Sequence, residues 1–219
     1  KTGEEKELNL NEFPSPQDLY DKQYKNDVKE SEKFFKIINT PYYYGEQSYP
    51  PRYYQRIAIN RVVEAISKEQ EKILLVMATG TGKTYVAFQI IWRLWQSGLK
   101  KKILYLADRN ILLDQTIIGD FKPFKNAMTK ITNRKMDTSY EIYLSLYQQL
   151  SENNNDLNDT LATLKENFNP NFFDLIIVDE CHRGSARENS NWRKILDYFE
   201  SATKIGMTAT PKETKEVSN

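Results

Sequence analysis

The sequence has 219 residues, 39% of them apolar and 28% charged, with a net charge of +1. That length suits one large domain with an appended segment, and the apolar share is enough for a sizeable core. No run approaches the roughly 18 apolar residues of a membrane-spanning helix, the start is neither a signal nor a transit peptide, and the lone Cys181 leaves no intramolecular disulfide and no cysteine-histidine zinc cluster.

Cys181 on its own fits a reducing, cytoplasmic setting. A near-neutral chain carries no global attraction for nucleic acid, so any such surface must be a local patch. Lys1 stands where an initiator Met would, which reads as a piece of a longer protein.

Residues 1–50 alternate acids with lysines and are punctuated by Pro14, Pro16, Pro41, Pro50 and Pro51. A helix over 15–26 is expected, with Ser15 as its cap and Pro16 as its first residue. The segment reads either as a connector packed on, or leading into, the main domain, or as that domain's own first helices. From residue 51 the pattern becomes regular. Helical spacing covers 53–67, and an apolar run over 72–77 reads as a buried strand. A helix over 83–96 stops at Gly98. A strand follows over 103–107, then a helix over 110–118 and a strand over 142–146. The asparagine-rich stretch 151–171 reads as a variable insertion. A strand over 175–178, a helix over 191–199 and a strand over 205–208 complete the series. Strands alternating with helices imply a parallel sheet covered on both faces. The run Lys100-Lys101-Lys102 reads either as a basic patch or as a solvated turn before a strand.

The most informative segment is Met77-Ala78-Thr79-Gly80-Thr81-Gly82-Lys83-Thr84. It follows a strand and opens a helix, the setting that a phosphate-binding loop requires. Glycines let the backbone curl so that several N–H groups point inward, and the helix adds the positive end of its dipole. Lys83 can reach the β- and γ-phosphates, and the Thr84 hydroxyl can ligate Mg²⁺. Met77 stands where the general motif has its first glycine. The second signal is Asp174-Leu175-Ile176-Ile177-Val178-Asp179-Glu180-Cys181-His182. Here an apolar strand ends in two carboxylates, and ligands of parallel α/β sheets bind beyond the carboxyl ends of strands. Asp179 is the candidate for Mg²⁺ and Glu180 for orienting or deprotonating the attacking water. Lys83, Asp179 and Glu180 are the catalytic candidates, and Thr84 with Asp179 is the metal pair. His182 reads either as a link to Thr208 and Thr210 or as a plain surface residue.

Asp179-Glu180-Cys181-His182 resembles the DEAD/DEAH-box motif of superfamily 2 helicases and translocases, and Thr208-Ala209-Thr210-Pro211 resembles their third motif, which couples nucleotide state to nucleic acid. Arg52-Tyr53-Tyr54-Gln55 is similar to the segment whose glutamine reads the adenine edge. Ala107-Asp108-Arg109 and Ser145-Leu146-Tyr147-Gln148 resemble the motifs that touch the nucleic-acid backbone. Within that superfamily the chain most resembles the motor (R) subunit of type I restriction enzymes, through Phe13-Pro14-Ser15-Pro16 and Gly206-Met207-Thr208-Ala209-Thr210-Pro211 together with the motifs above.

The resemblance implies a RecA-like domain over 51–219 with a mostly helical or irregular extension over 1–50. It implies an ATP site made by Gln55, Thr79, Gly80, Thr81, Gly82, Lys83 and Thr84, coupling through His182, Thr208 and Thr210, and DNA-backbone contacts from Arg109, Ser145, Tyr147 and Gln148. The partners implied are double-stranded DNA, modification and specificity subunits, and a second RecA-like domain that supplies arginines to the phosphoryl group. Weak nucleotide binding and poor turnover are therefore expected of residues 1–219 alone. The other readings are a superfamily 2 DNA-repair or RNA helicase and a non-hydrolysing interaction module.

Overall fold

A computed structural model describes residues 9, 13–15, 18, 28–45, 49–107, 119–131, 137–146, 165–181 and 195–211. In chain order these form α1 (Val28–Ile38), α2 (Tyr53–Ser67), β1 (Lys72–Val76), α3 (Lys83–Gln96), β2 (Ile103–Ala107), β3 (Met128–Lys130), β4 (Ile142–Leu146), β5 (Leu175–Val178) and β6 (Thr203–Thr208). The strands make one sheet in the order β1-β6-β5-β2-β4-β3, every pairing parallel. The expected α/β architecture is thus observed.

Period-two alternation divides the strand residues between two cores. Ile103, Tyr105, Ile142, Leu175, Ile177 and Met207 face α2 and α3. Leu104, Leu106, Tyr143, Ile176 and Val178 face the other way, against Phe168, Phe173 and Phe199. Helix α3 is buried along most of Val86–Leu94, as befits a helix apolar nearly all round. The sheet covers one side of it, and Tyr43, Phe121 and Phe124 cover the other. It ends where Gly98 adopts φ +70° and donates to the Trp95 carbonyl, the left-handed stop that glycine adopts with least strain.

The differences from expectation are local. Helix α1 lies beyond the helix expected over 15–26, β3 is a three-residue edge strand, and β1, expected as a buried strand, leaves Leu74 and Val76 exposed on one face. Strand β6 starts two residues early, at Thr203. At 15–26 only Ser15 and Asp18 lie within the described residues. The Ser15 N–H and hydroxyl donate to the Asp18 carboxylate, and the Asp18 N–H donates back to Ser15 Oγ at 3.1 Å, a reciprocal cap. The helix expected over 110–118 and most of the 151–171 insertion fall outside the described residues, as do 191–194; residues 195–198 are helical. Among the described residues, no helix is long and apolar enough to cross a membrane.

The lysine run leads into β2 with Lys101 exposed, as a solvated turn would, but Lys100 and Lys102 are tied to neighbouring strand starts. Lys100 donates to Thr203 Oγ1 at 2.9 Å, Lys102 donates to the Thr138 and Tyr140 carbonyls, and the Lys101 and Lys102 amides donate to Asp174. It ties strand starts together at the edge of the sheet opposite the phosphate loop.

Candidate functional site

Register places the site. In the parallel sheet Val76 lies beside Thr208, Gly206 beside Val178, and Val178 beside Leu106. The residues following β1, β5 and β6 therefore meet on one rim, where a parallel sheet presents its ligand crevice. The Met77 N–H continues the pairing by donating to the Thr208 carbonyl at 2.9 Å, and the Cys181 N–H donates to Met207.

The loop between β1 and α3 takes its curl from Gly80 and Gly82, at φ +75° and +82°. The Thr81 hydroxyl donates to the Ala78 carbonyl at 2.6 Å. Gln55, buried in the first turn of α2, spans the loop: its Nε2 donates to the Thr81 carbonyl at 2.8 Å, while its Oε1 accepts the Arg52 N–H at 2.9 Å. A Cβ on Gly82 would lie 2.6 Å from Gln55 Nε2, whereas one on Gly80 would meet nothing within 4 Å. Gln55 thus holds the loop, a role its adenine-reading motif did not suggest. Each end of its amide keeps one further hydrogen-bonding position.

Lys83 Nζ lies 3.2 Å from Glu180 Oε1, with both side chains nearly buried, and donates to the Met77 carbonyl at 3.4 Å. Loop and acid strand thus meet through one ion pair. Glu180 sits at φ +51°, a left-handed conformation that strains a residue with a Cβ by about 1–3 kcal/mol and concentrates at functional sites. Asp179 is held differently. Its Oδ2 accepts the Tyr105 hydroxyl at 3.1 Å and its Oδ1 the Glu180 N–H at 2.9 Å. Burial pushes its carboxyl above the ordinary carboxylate range, against the hydrogen bond from Tyr105. A buried carboxylate in that position gains from a cation beside it.

These residues fit a magnesium–triphosphate. Backbone N–H groups and an ammonium suit the phosphate oxygens, while a hydroxyl at Thr84 and two carboxylates offer the incomplete set of oxygen ligands that Mg²⁺ completes with water and substrate phosphates. Among the described residues no cluster of three acidic, histidine or cysteine side chains could hold a metal by itself. Thr208 is buried in β6, its Oγ1 accepting the Thr210 N–H at 3.1 Å. The contacts expected of Ser145 need correction: it is fully buried in β4, so its hydroxyl is not on a surface a DNA backbone can reach. Arg109, Tyr147, Gln148 and His182 lie outside the described residues.

A cavity of about 950 Å³ adjoins the loop. Gly80–Gly82 form one side of it, Tyr43 and Tyr49 another, and Asp120 with Lys122 a third. Sequence reasoning missed this chamber, because its walls come from three segments with no shared motif.

A family described as type III restriction enzyme, res subunit, matches residues 48–213. The type I restriction enzyme EcoAI endonuclease subunit of Escherichia coli is 54% identical over 217 residues, covering 98% of this chain and 26% of that protein. A solved fragment described as an HsdR subunit of a type I restriction enzyme from Vibrio vulnificus YJ016 matches with a TM-score of 0.68 and 37% identity, covering 95% of this chain and 34% of that one. The Hef helicase domain of Pyrococcus furiosus matches with a TM-score of 0.55 and 22% identity, over 76% of this chain and 34% of that one; at that identity the likeness shows the helicase-type RecA-like fold alone.

Proposed function

The chain belongs to the type III restriction enzyme res subunit family, and from that premise we propose that it is the ATP-binding first motor domain of a type I restriction endonuclease subunit, one that hydrolyses ATP to move along double-stranded DNA. The 54% identity to a type I endonuclease subunit supports the restriction reading over a DNA-repair or RNA helicase. The observation that carries the reading is the 3.2 Å contact between Lys83 and Glu180, which joins the phosphate loop to the acid strand.

In this reading the backbone around Thr79, Gly80, Thr81 and Gly82 cradles the phosphates, and Gln55 fixes the loop and faces the base. Lys83 exchanges Glu180 for phosphate oxygens, since one ammonium cannot serve both fully. Glu180, so released, accepts the proton of the attacking water. Thr84 and Asp179 would hold Mg²⁺, which when bound neutralises charge developing on the phosphoryl group. His182, Thr208 and Thr210 link the pocket to the nucleic-acid side, where Arg109, Tyr147 and Gln148 contact the DNA backbone, a sequence-blind mode that suits a translocase. A second RecA-like domain supplies the charge-stabilising arginines, so residues 1–219 alone bind nucleotide weakly and turn it over slowly. Modification and specificity subunits complete the assembly, in the cytoplasm.

The test uses the intact parent protein. Duplex DNA should stimulate its ATP hydrolysis, and Glu180→Gln should lower the rate by about 10²–10⁴ while leaving ATP affinity within a few fold. Stimulation by RNA alone would favour the helicase reading, and no turnover with any nucleic acid would favour a non-hydrolysing module.

A further inference from the structure

Residues 40–45 and 49–50 lie outside the sheet, so their backbone polar groups must find partners elsewhere. Helix α3 supplies them from one face, through Tyr85, Gln89 and Arg93 at helical i, i+4 spacing. Gln89 is fully buried. Its Oε1 accepts the Tyr43 N–H at 2.9 Å and its Nε2 donates to the Tyr43 carbonyl at 3.0 Å, so one side-chain amide matches both backbone groups of one residue. The same Nε2 donates to the Tyr85 hydroxyl at 3.1 Å, and that hydroxyl donates to the Tyr49 carbonyl at 3.0 Å. Arg93 completes the series on the Thr40 and Ile37 carbonyls.

What these bonds hold in place is a wall. Tyr43 and Tyr49 bound the 950 Å³ cavity whose other side is the phosphate loop, and Tyr85 projects between them. The two sides differ in chemistry: the loop offers backbone N–H groups, which suit phosphates, and the wall offers tyrosine rings, which suit a planar base. We infer that Gln89, assisted by Tyr85, is a positioning residue that sets Tyr43 and Tyr49 as the wall of a nucleoside compartment, and so governs affinity for the base and sugar of the nucleotide without touching its phosphates. This rests on the nucleotide reading above.

Because the wall serves only the nucleoside, magnesium-ATP and magnesium-tripolyphosphate should respond differently. Calorimetric titration of the intact parent protein with each gives a ratio of dissociation constants. Gln89→Met keeps the volume but cannot match both Tyr43 groups. It should weaken ATP by about tenfold and leave tripolyphosphate within about twofold. Tyr85→Phe removes only the hydroxyl and should shift the same ratio by about threefold. Lys83→Ala should weaken both ligands together. A merely structural role for Gln89 would lower both ligands in proportion to lost folded protein; an unchanged ratio in Gln89→Met and Tyr85→Phe overturns the inference while leaving the nucleotide reading intact. A wild-type chain that binds neither ligand, or whose binding ignores Lys83→Ala, overturns the nucleotide reading and this inference with it.

Discussion

The phosphate loop and the strap formed by residues 37–45 and 49–50 both lean on α3, yet they are held in different ways. The loop is shaped by near neighbours: two left-handed glycines, and a threonine bonding to a carbonyl three residues back. The strap is held by the buried Gln89 and Arg93 and the half-buried Tyr85, 36 to 56 residues away in sequence. The loop's curl is written into its local sequence, with Gln55 clamping it from α2, whereas the strap's course depends on side chains of a helix far along the chain. A motif can announce the former but not the latter.

That contrast can be broken by substitution, and the largest effect is expected in the strap. Arg93→Leu leaves the Ile37 and Thr40 carbonyls without their guanidinium and should destabilise the fold by about 3 kcal/mol or more, read as a drop in the urea midpoint. An unchanged midpoint would mean that the strap contributes nothing to the body of the domain. Next come the glycines, where the loop should behave as two unequal positions. Gly82→Ala combines left-handed strain with the Gln55 collision and should weaken ATP at least about tenfold. Gly80→Ala meets open space and carries only the backbone penalty of about 1–2 kcal/mol. Equal effects at the two positions would remove Gln55 from its place as the loop's clamp.

The smallest effect lies away from both regions, at Asp174. Burial raises its carboxyl above the usual range, against the Lys101 and Lys102 amide bonds. A carboxyl raised on folding favours the fold below its ordinary titration range and loses that contribution as pH rises through its folded value. Asp174→Asn, which does not titrate, should therefore gain relative to wild type as pH rises through that range. Denaturation midpoints moving in parallel across it would contradict the assignment.

The same contrast explains what could be read in advance. Lys83, Thr84, Asp179 and Glu180 were legible because strand, turn and helix boundaries converge on them, and the parallel register then brings them to one rim without further information. Gln55 was found through its motif but with an incomplete role, since a sequence does not show that its amide reaches Thr81. Ser145 was named through its resemblance to a backbone-contacting motif, and a motif does not show that β4 buries that side chain. The internal bonds of Lys100 and Lys102 join residues far apart in the chain, and nothing in a run of three lysines reveals them.

The central claim is that the backbone at Gly80–Gly82 and the acid pair at 179–180 serve one triphosphate through Lys83. Titrating magnesium-ATP into wild-type chain and into Lys83→Ala, with a thermal melt to show that both are folded, tests it most directly. The account predicts saturable one-to-one binding weakened by about 100-fold or more in the variant. Equal affinity in two equally folded proteins would contradict it.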